Sequence, residues 1–213
     1  MNYSTILLAA GKGSRTNLEY NKVFYTFSDG MCVLEKSMAF FLKDEDCKQI
    51  ILVCAEYEKD EVEKKYRIDP RIGVVTGGKT RQESVYNGLQ IVNQDYVMIH
   101  DGARPYLQMK WIEQLKKALQ DYSACLLMVP SVDTTKIVVD GFVQETLKRE
   151  TIYHAQTPQA FKTSLIRMCH EKGMNQQATD DAQLVEWYSN EKIKVVLSSF
   201  TNKKITLPED LQG

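Results

Sequence analysis

Short apolar runs alternate with segments of helical pattern through residues 1–130. The apolar runs predict buried strands at residues 6–9, 50–54, 72–75, 96–99 and 124–129. The segments between them predict helices at residues 33–42, 58–65, 80–92 and 112–119. Strands that alternate with helices form βαβ units, which build a mostly parallel sheet with helices on both faces. The pattern therefore predicts an α/β fold.

The second part of the chain interrupts this alternation. Residues 137–143 form two apolar runs around Asp140-Gly141, a dipeptide typical of a two-residue hairpin turn. A lone two-stranded hairpin is only marginally stable in water, so we expect a β-arm at about 134–152 that packs on a second subunit. Further on, the pattern predicts helices at 164–169 and 179–188 and a strand at 193–197. We expect a single domain over residues 1–213 that carries this arm.

Composition limits the classes of partner. The 213 residues carry a formal net charge of −1, without a basic block. Binding to nucleic acid or to an anionic membrane is therefore disfavoured, and any anion site must be local. No apolar run approaches the ~20 residues of a membrane span, and a signal-peptide pattern is missing, so we expect a cytoplasmic protein. The five cysteines form no CxxC pair, which indicates reduced thiols.

The loop after the first strand has the composition of a phosphate-binding site. Gly11 and Gly13 let backbone N–H groups approach an anion, and Arg15 and Lys22 supply positive charge. The segment begins like the dinucleotide fingerprint GxGxxG, but Thr16 occupies the place of the third glycine. Ligands of parallel sheets bind beyond the carboxyl ends of the strands, where this loop lies. A simple tight turn is the alternative interpretation.

Residues 73–80 match the P-loop pattern GxxxxGK[ST], and residues 96–101 resemble a strand that ends in a Walker-B aspartate. This match would make the chain a P-loop NTPase that acts as a nucleotide switch and depends on Lys79. The context argues against it, because Val74 and Val75, the best strand residues, would lie inside the phosphate loop. We interpret Gly77-Gly78 as a turn that faces a ligand, with Thr80 capping the next helix.

Asp101 follows the predicted strand at 96–99, which places its carboxylate at the ligand edge of the sheet. Such a carboxylate can bind Mg²⁺ together with substrate phosphates. Arg104 could hold a second anion, whereas the alternative is an ordinary turn with a surface ion pair. The remaining polar motifs are individually weak, and residues 179–181 are predicted to cap a helix.

Together, these motifs resemble those of the 2-C-methyl-D-erythritol 4-phosphate cytidylyltransferase family. The matching segments follow the family's order along nearly the whole chain: Leu8-Ala9-Ala10-Gly11-x-Gly13-x-Arg15, Asn21-Lys22, His100-Asp101-Gly102-Ala103-Arg104-Pro105, Asp133-Thr134-x-Lys136, Gln156-Thr157-Pro158-Gln159, Thr179-Asp180-Asp181-Ala182 and Lys204-Ile205-Thr206-x-Pro208-Glu209-Asp210-Leu211. The resemblance implies a Rossmann-like nucleotidyltransferase fold and a homodimer joined through the β-arm. It also implies CMP transfer from CTP to methylerythritol phosphate with Mg²⁺, a step of non-mevalonate isoprenoid synthesis.

The resemblance implies roles for individual residues. The catalytic group would be Arg15, Lys22, Asp101 and Lys204, of which Asp101 would face the metal and the sugar. The residues that bind CTP would be Ala9, Ala10, Gly11, Gly13, Gly78 and Ser84, with its phosphates on Arg15 and Lys22. The residues that hold methylerythritol phosphate would be Arg104, Thr134, Arg149 and Lys204, some of them supplied across the dimer.

The sequence departs from the family pattern in three places. Tyr20-Asn21 precede Lys22 where many relatives have a proline, and Lys79 replaces an acidic residue after the glycine pair. Residues 208–210 are expected to begin a helix that relatives continue, so the chain is expected to be truncated there. The nearest alternative function is that of the ribitol 5-phosphate cytidylyltransferase branch, which shares fold and chemistry. A nucleotide-binding module that binds CTP without turnover is a further alternative.

Overall fold

The computed structural model describes residues 1–11 and 20–211. The strands in this part of the chain are β1 (Tyr3–Leu8), β2 (Cys47–Cys54), β3 (Ile72–Thr76), β4 (Tyr96–Asp101), β5 (Ala124–Pro130), β6 (Lys136–Val139), β7 (Phe142–Thr146), β8 (Tyr153–Lys162) and β9 (Ile193–Leu197). The helices are α1 (Val33–Lys43), α2 (Lys59–Tyr66), α3 (Arg81–Leu89), α4 (Met109–Asp121), α5 (Thr163–Lys172) and α6 (Asp181–Tyr188). The predicted α/β class is confirmed.

The main sheet has the strand order β3-β2-β1-β4-β8-β5-β9. β1 runs parallel to β2 and β4, β3 runs parallel to β2, and β9 runs parallel to β5. Among the described strands of this sheet, β8 runs antiparallel to both of its neighbours, β4 and β5. The predicted mostly parallel sheet is therefore confirmed.

Strand β8 is missing from the sequence-based prediction, which placed only weak polar motifs at residues 153–162. The strand buries Gln156, Thr157 and Gln159, so polar side chains occupy positions where a buried strand usually carries apolar ones. Their burial is possible because distant residues satisfy them: Gln156 accepts from the Asn202 amide and Gln159 donates to Asp180. The apolar pattern alone gave no sign of this strand.

Strand β1 is buried on both faces, which explains the apolar run Ile6-Leu7-Leu8 at its carboxyl end. Ile6 belongs to the cluster that α3 covers with Val85 and Leu89, whereas Leu7 belongs to the opposite cluster with Phe41 of α1. Helix α3 lies close to the sheet at Gly88, where an added Cβ would come within 3.0 Å of the Ile6 Cγ2. This close contact holds the carboxyl-terminal part of α3 against β1.

Strands β6 and β7 form the predicted hairpin, and every residue in both strands is exposed. Asp140 and Gly141 have φ angles of 50° and 84°, which suits a two-residue type I′ turn. The hairpin prediction is confirmed. The arm follows the carboxyl end of β5, so it projects from the ligand edge of the sheet.

At the carboxyl end of the chain, the predicted helical turn is a short 3-10 helix, Pro208–Leu211. Asp210 holds it by accepting from the backbone N–H groups of Thr206 and Leu207. None of the helices in the described part combines the length and the apolar character that a bilayer crossing requires.

Candidate active site

A cleft of about 910 Å³ opens at the carboxyl ends of β1 and β4, between residues 10–11 and the β3–α3 turn. This volume lies in the range of small-molecule sites. The cleft brings together seven of the predicted site residues: Ala10, Gly11, Lys22, Gly78, Ser84, Asp101 and Lys204. Residues from widely separated parts of the sequence therefore share one cavity.

Other predicted site residues lie elsewhere. Ala9 is buried and does not line the cleft, and its carbonyl oxygen accepts from Asn21 at 2.5 Å. Thr134 and Arg149 are exposed at the base of the arm. The predicted contacts of Gly13 and Arg15 with CTP fall outside the described residues.

The β3–α3 turn forms one wall of the cleft and is tightly packed. The Gly78 N–H donates to Ser84 Oγ at 3.1 Å, and that hydroxyl donates to the Thr80 carbonyl at 2.9 Å. A Cβ on Gly77 would lie 2.5 Å from the Ala10 Cβ, so the turn leaves no room for a side chain there. Thr80 accepts from the Glu83 N–H, and its predicted capping role is confirmed.

The same region excludes the P-loop alternative. Gly73, Val74 and Val75 pair in register with residues of β2, as part of the extended strand β3. A P-loop would need these residues in a loop that wraps a phosphate. Gly77 and Gly78 line the cleft between β3 and α3, and their contact with a ligand stays a prediction.

Lys22 begins a short 3-10 helix, Lys22–Phe24, that packs beside the end of β1. Asn21 caps this helix by accepting from the Val23 N–H, and its amide also holds the Ala9 carbonyl. The two contacts of Asn21 fix the backbone on which Lys22 is carried. The Lys22 side chain is largely buried and lines the cleft.

Asp101 is surrounded by three cationic side chains. Lys204 Nζ lies 2.8 Å from its Oδ2, Arg81 Nε lies 3.4 Å from its Oδ1, and Arg104 Nε lies 3.9 Å from its Oδ2. Burial alone would raise the pKa of the Asp101 carboxyl, but the positive charges of Arg81, Lys204 and Arg104 hold that pKa well below its ordinary range. The carboxylate is therefore ionised.

The segment that carries Lys204 is held on both sides of the lysine. Buried Asn202 donates to the Gln156 side chain at 2.9 Å and to the Thr157 carbonyl at 3.0 Å, both in β8. The Ile205 N–H donates to the Ala103 carbonyl at 2.8 Å. These anchors place the Lys204 ammonium at Asp101.

A buried network below the cleft orients the backbone of Asp101. The Asp101 N–H donates to Thr157 Oγ1 at 3.0 Å, and this hydroxyl contacts His100 Nδ1 at 3.0 Å. His100 Nε2 lies 3.2 Å from the Arg104 carbonyl, so Nε2 is assigned as the protonated nitrogen and Nδ1 as the acceptor. Burial, opposed by nearby Asp101, lowers the pKa of His100 to about 4. The arrangement fits a neutral imidazole.

The carboxylates of the cleft determine how it could hold the expected Mg²⁺. The described residues contain no group of three or more His, Cys, Asp or Glu side chains that could hold a metal ion. Glu83 also lines the cleft, but its Oε2 accepts from the Lys79 N–H at 2.7 Å. Mg²⁺ often binds through one carboxylate and substrate phosphates. The donor set thus fits an ion that arrives with a phosphate ligand and contacts Asp101.

The structure reveals site residues that the sequence motifs did not assign. Arg81 lines the cleft beside Asp101, and Thr157 and His100 support Asp101 from below. His100 and Thr157 stand inside quoted motifs, but their contacts depend on the unpredicted strand β8. Asp181 was expected only as an acid in the first turn of a helix, yet it is buried and ion-paired with Arg81.

A cation-rich cleft at the ligand edge of an α/β sheet is the type of site that a nucleotidyltransferase needs, and the family match places the chain in that class. Within that class, the family model of 2-C-methyl-D-erythritol 4-phosphate cytidylyltransferase matches residues 3–213, and the chain belongs to this family. The resemblance found in the sequence motifs is confirmed.

Relatives and solved structures agree with this family. The chain is 41% identical to the 2-C-methyl-D-erythritol 4-phosphate cytidylyltransferase of Halalkalibacterium halodurans, over 99% of this chain and 94% of that protein. It is also 41% identical to the protein of that name from Clostridium novyi, over 97% and 92%. The crystal structure of 4-diphosphocytidyl-2C-methyl-D-erythritol synthase from Anaerococcus prevotii superposes with a TM-score of 0.87 at 33% identity, over 99% of this chain and 93% of that one. The predicted Rossmann-like nucleotidyltransferase fold is confirmed.

We predict that His100 makes the fold less stable as the pH falls from about 6.5 to about 4. In this window the unfolded chain binds a proton that the folded protein excludes, so the free energy of unfolding decreases with decreasing pH. The total loss is about 3 kcal/mol, because the pKa of His100 is about 2.5 lower in the folded protein and each pKa unit corresponds to about 1.4 kcal/mol. Urea denaturation at a series of pH values measures it.

The His100→Gln variant should show a flatter dependence of unfolding free energy on pH in this window. His154→Gln is the matched control, because His154 is exposed on the same sheet, and it should keep the wild-type dependence. Equal slopes for wild type and His100→Gln would contradict the assignment of a buried neutral imidazole.

Proposed function

We propose that this chain transfers CMP from CTP to 2-C-methyl-D-erythritol 4-phosphate, and so produces CDP-methylerythritol and diphosphate for non-mevalonate isoprenoid synthesis. The main support for this proposal is the composition of the cleft. A single cleft joins a glycine turn suited to a nucleotide with Lys22, Asp101 and Lys204, in a chain of this family. Arg104 lies directly behind Asp101.

The nucleotide fits the end of the cleft formed by small residues. Ala10, Gly11 and Gly78 present little side-chain bulk, and Ser84 holds the turn in shape through its hydroxyl. We place the cytidine against this turn, and its phosphates towards Lys22 and Arg15. A Cβ on Gly78 would overlap Glu83, so substitution there would disturb the wall of the nucleotide site.

The reaction forms one P–O bond and breaks another. A phosphate oxygen of methylerythritol phosphate attacks the α-phosphorus of CTP, and the bond from that phosphorus to the bridging oxygen breaks to release diphosphate. The attacking phosphate is already an anion, so no general base is required. The protein's contribution is in-line positioning and stabilisation of the negative charge on the α-phosphate, which we assign to Lys22, Arg15 and Lys204.

Mg²⁺ is the proposed cofactor, and Asp101 is the residue that would hold it together with phosphate oxygens. When bound, the ion would neutralise negative charge on the CTP phosphates and so favour attack and departure of diphosphate. The three cations around Asp101 keep its carboxylate ionised, which suits either a metal or a sugar hydroxyl as its partner.

We propose a homodimer in which the β-arm completes the acceptor site. Thr134 and Arg149 are exposed at the arm, away from their own chain's cleft, whereas the arm leaves the sheet at the ligand edge. Phe142 is 78% exposed and Val143 is 63% exposed, an apolar surface that a second subunit would cover. Thr134 and Arg149 would then reach the methylerythritol phosphate held by Arg104 in the partner.

We also propose the cytoplasm as the compartment of the reaction. The five cysteines are buried and unpaired, which is typical of a reducing environment. No disulfide is required to hold any part of the described fold.

Phe142→Asp should convert the dimer to a monomer, because it places a charge in the apolar surface of the arm. We expect at least tenfold weaker self-association by sedimentation velocity and a higher KM for methylerythritol phosphate, with the KM for CTP little changed. Gln144→Asp adds the same charge at a polar position of the same strand and is the control. A wild-type monomer, or a Phe142→Asp dimer of unchanged affinity, would contradict the arm's proposed role.

The proposed reaction is tested by diphosphate release from the purified protein with Mg²⁺, CTP and methylerythritol 4-phosphate. Parallel reactions replace the acceptor by ribitol 5-phosphate, or CTP by ATP, GTP or UTP. We expect release only with CTP and methylerythritol phosphate together. Preference for ribitol phosphate would refute the substrate, and absence of diphosphate with every pair would refute the reaction.

A further inference from the structure

A line of buried charged groups reaches the cleft from the side of α5 and α6. Asp181, the first residue of α6, is 1% exposed. Its Oδ2 lies 2.8 Å from Nη1 of Arg81, the first residue of α3. Burying a carboxylate is costly unless a cation pairs with it, so the Asp181–Arg81 pair is strongly constrained.

Asp181 is fixed on its other sides as well. Its Oδ1 accepts from Nε2 of His170 in α5 at 3.1 Å, with the ring proton assigned to that nitrogen. Its backbone N–H donates to Oε1 of buried Gln159 in β8 at 3.1 Å. His170 and Arg81 therefore hold the carboxylate of Asp181, and Gln159 holds its backbone.

Arg81 transmits this constraint to the cleft. The guanidinium is a rigid planar fork, and while one of its arms is held by Asp181, its Nε lies 3.4 Å from Asp101 Oδ1. Lys204 holds the other oxygen of Asp101 at 2.8 Å. The orientation of the Asp101 carboxylate thus depends on a cation from each side.

Attachment of α3 to the α5–α6 segment does not by itself require this ion pair. Gln82, the next residue, donates to the Gly173 carbonyl at 2.8 Å and accepts from the Ala178 N–H at 3.0 Å. These neutral hydrogen bonds already join the same two parts of the fold. Unlike the hydrogen bonds of Gln82, the Arg81–Asp181 ion pair is connected to Asp101 in the cleft.

We propose that Asp181 is a positioning residue for cytidylyl transfer: it fixes Arg81, and Arg81 holds Asp101 in the orientation that the reaction uses. The inference rests on the proposed function and deepens it, because it extends the active site to a buried residue that touches neither substrate. Small displacements of a reacting group can cost about a hundredfold in rate.

Asp181→Asn should lower kcat for diphosphate release about ten- to a hundredfold, with the KM for CTP changed less than about threefold. The reason is that the nucleotide turn keeps its own hydrogen bonds while Asp101 loses its fixed partner. Arg81→Lys keeps the charge but cannot span both carboxylates, and should cause a similar loss of kcat. If Asp181 acts through Arg81, the double variant should be no slower than Arg81→Lys alone.

Two controls separate positioning from general stability. Glu186→Gln removes a carboxylate that is exposed on the same helix, α6. Gln82→Ala loosens the α3 attachment without touching Asp101. Both should keep kcat within about twofold of wild type, and Gln82→Ala should lower the Tm.

Wild-type kcat in Asp181→Asn, additive losses in the double variant, or an equal loss in Gln82→Ala would each overturn the inference. If Asp181→Asn fails to fold, the kcat and KM of Arg81→Lys provide the test of the inference instead, because the Arg81 side chain is 30% exposed in the cleft. An inactive wild type would instead refute the proposed function together with this inference.

Discussion

The ionised carboxylate of Asp101 is the interaction on which the cleft depends. Lys204, Arg81 and Arg104 reach it from the carboxyl-terminal segment, from helix α3 and from the loop after β4. A buried carboxylate without these cations would be strongly destabilising, and the cations without it would repel one another. One anion thus holds together parts of the chain that are remote in sequence and that form the walls of the site.

The same arrangement explains how the cleft can accept polyanions. A nucleoside triphosphate and a sugar phosphate bring several negative charges, and the cations that surround Asp101 are already oriented by its carboxylate. Such preorganised charges stabilise a developing anion without reorganising during the reaction. Strand β8 supports this geometry from below, because Thr157 binds the Asp101 backbone and Gln156 anchors the segment of Lys204 through Asn202.

The elements with local signals were predictable from the sequence. β1 ends in the apolar run Ile6-Leu7-Leu8 because Ile6 and Leu7 are buried on opposite faces, and Asp140-Gly141 marked the hairpin turn. Strand β8 had no such signal, since its buried side chains are polar and find their partners far along the chain. The Arg81–Asp181 pair was likewise unpredictable, because nothing in either segment specifies the other. Motif resemblance alone also could not show that Ala9 is buried whereas Ala10 lines the cleft.

The Asp101→Asn variant tests most directly whether the cleft depends on the Asp101 carboxylate. Its kcat is measured by diphosphate release and its affinity for CTP by calorimetry. Asp95→Asn is the matched control, because Asp95 is exposed just before the other end of β4. We expect a kcat at least about a hundredfold lower for Asp101→Asn, with CTP binding retained or tighter because the cleft loses a negative charge. A folded Asp101→Asn protein with near wild-type kcat would contradict it.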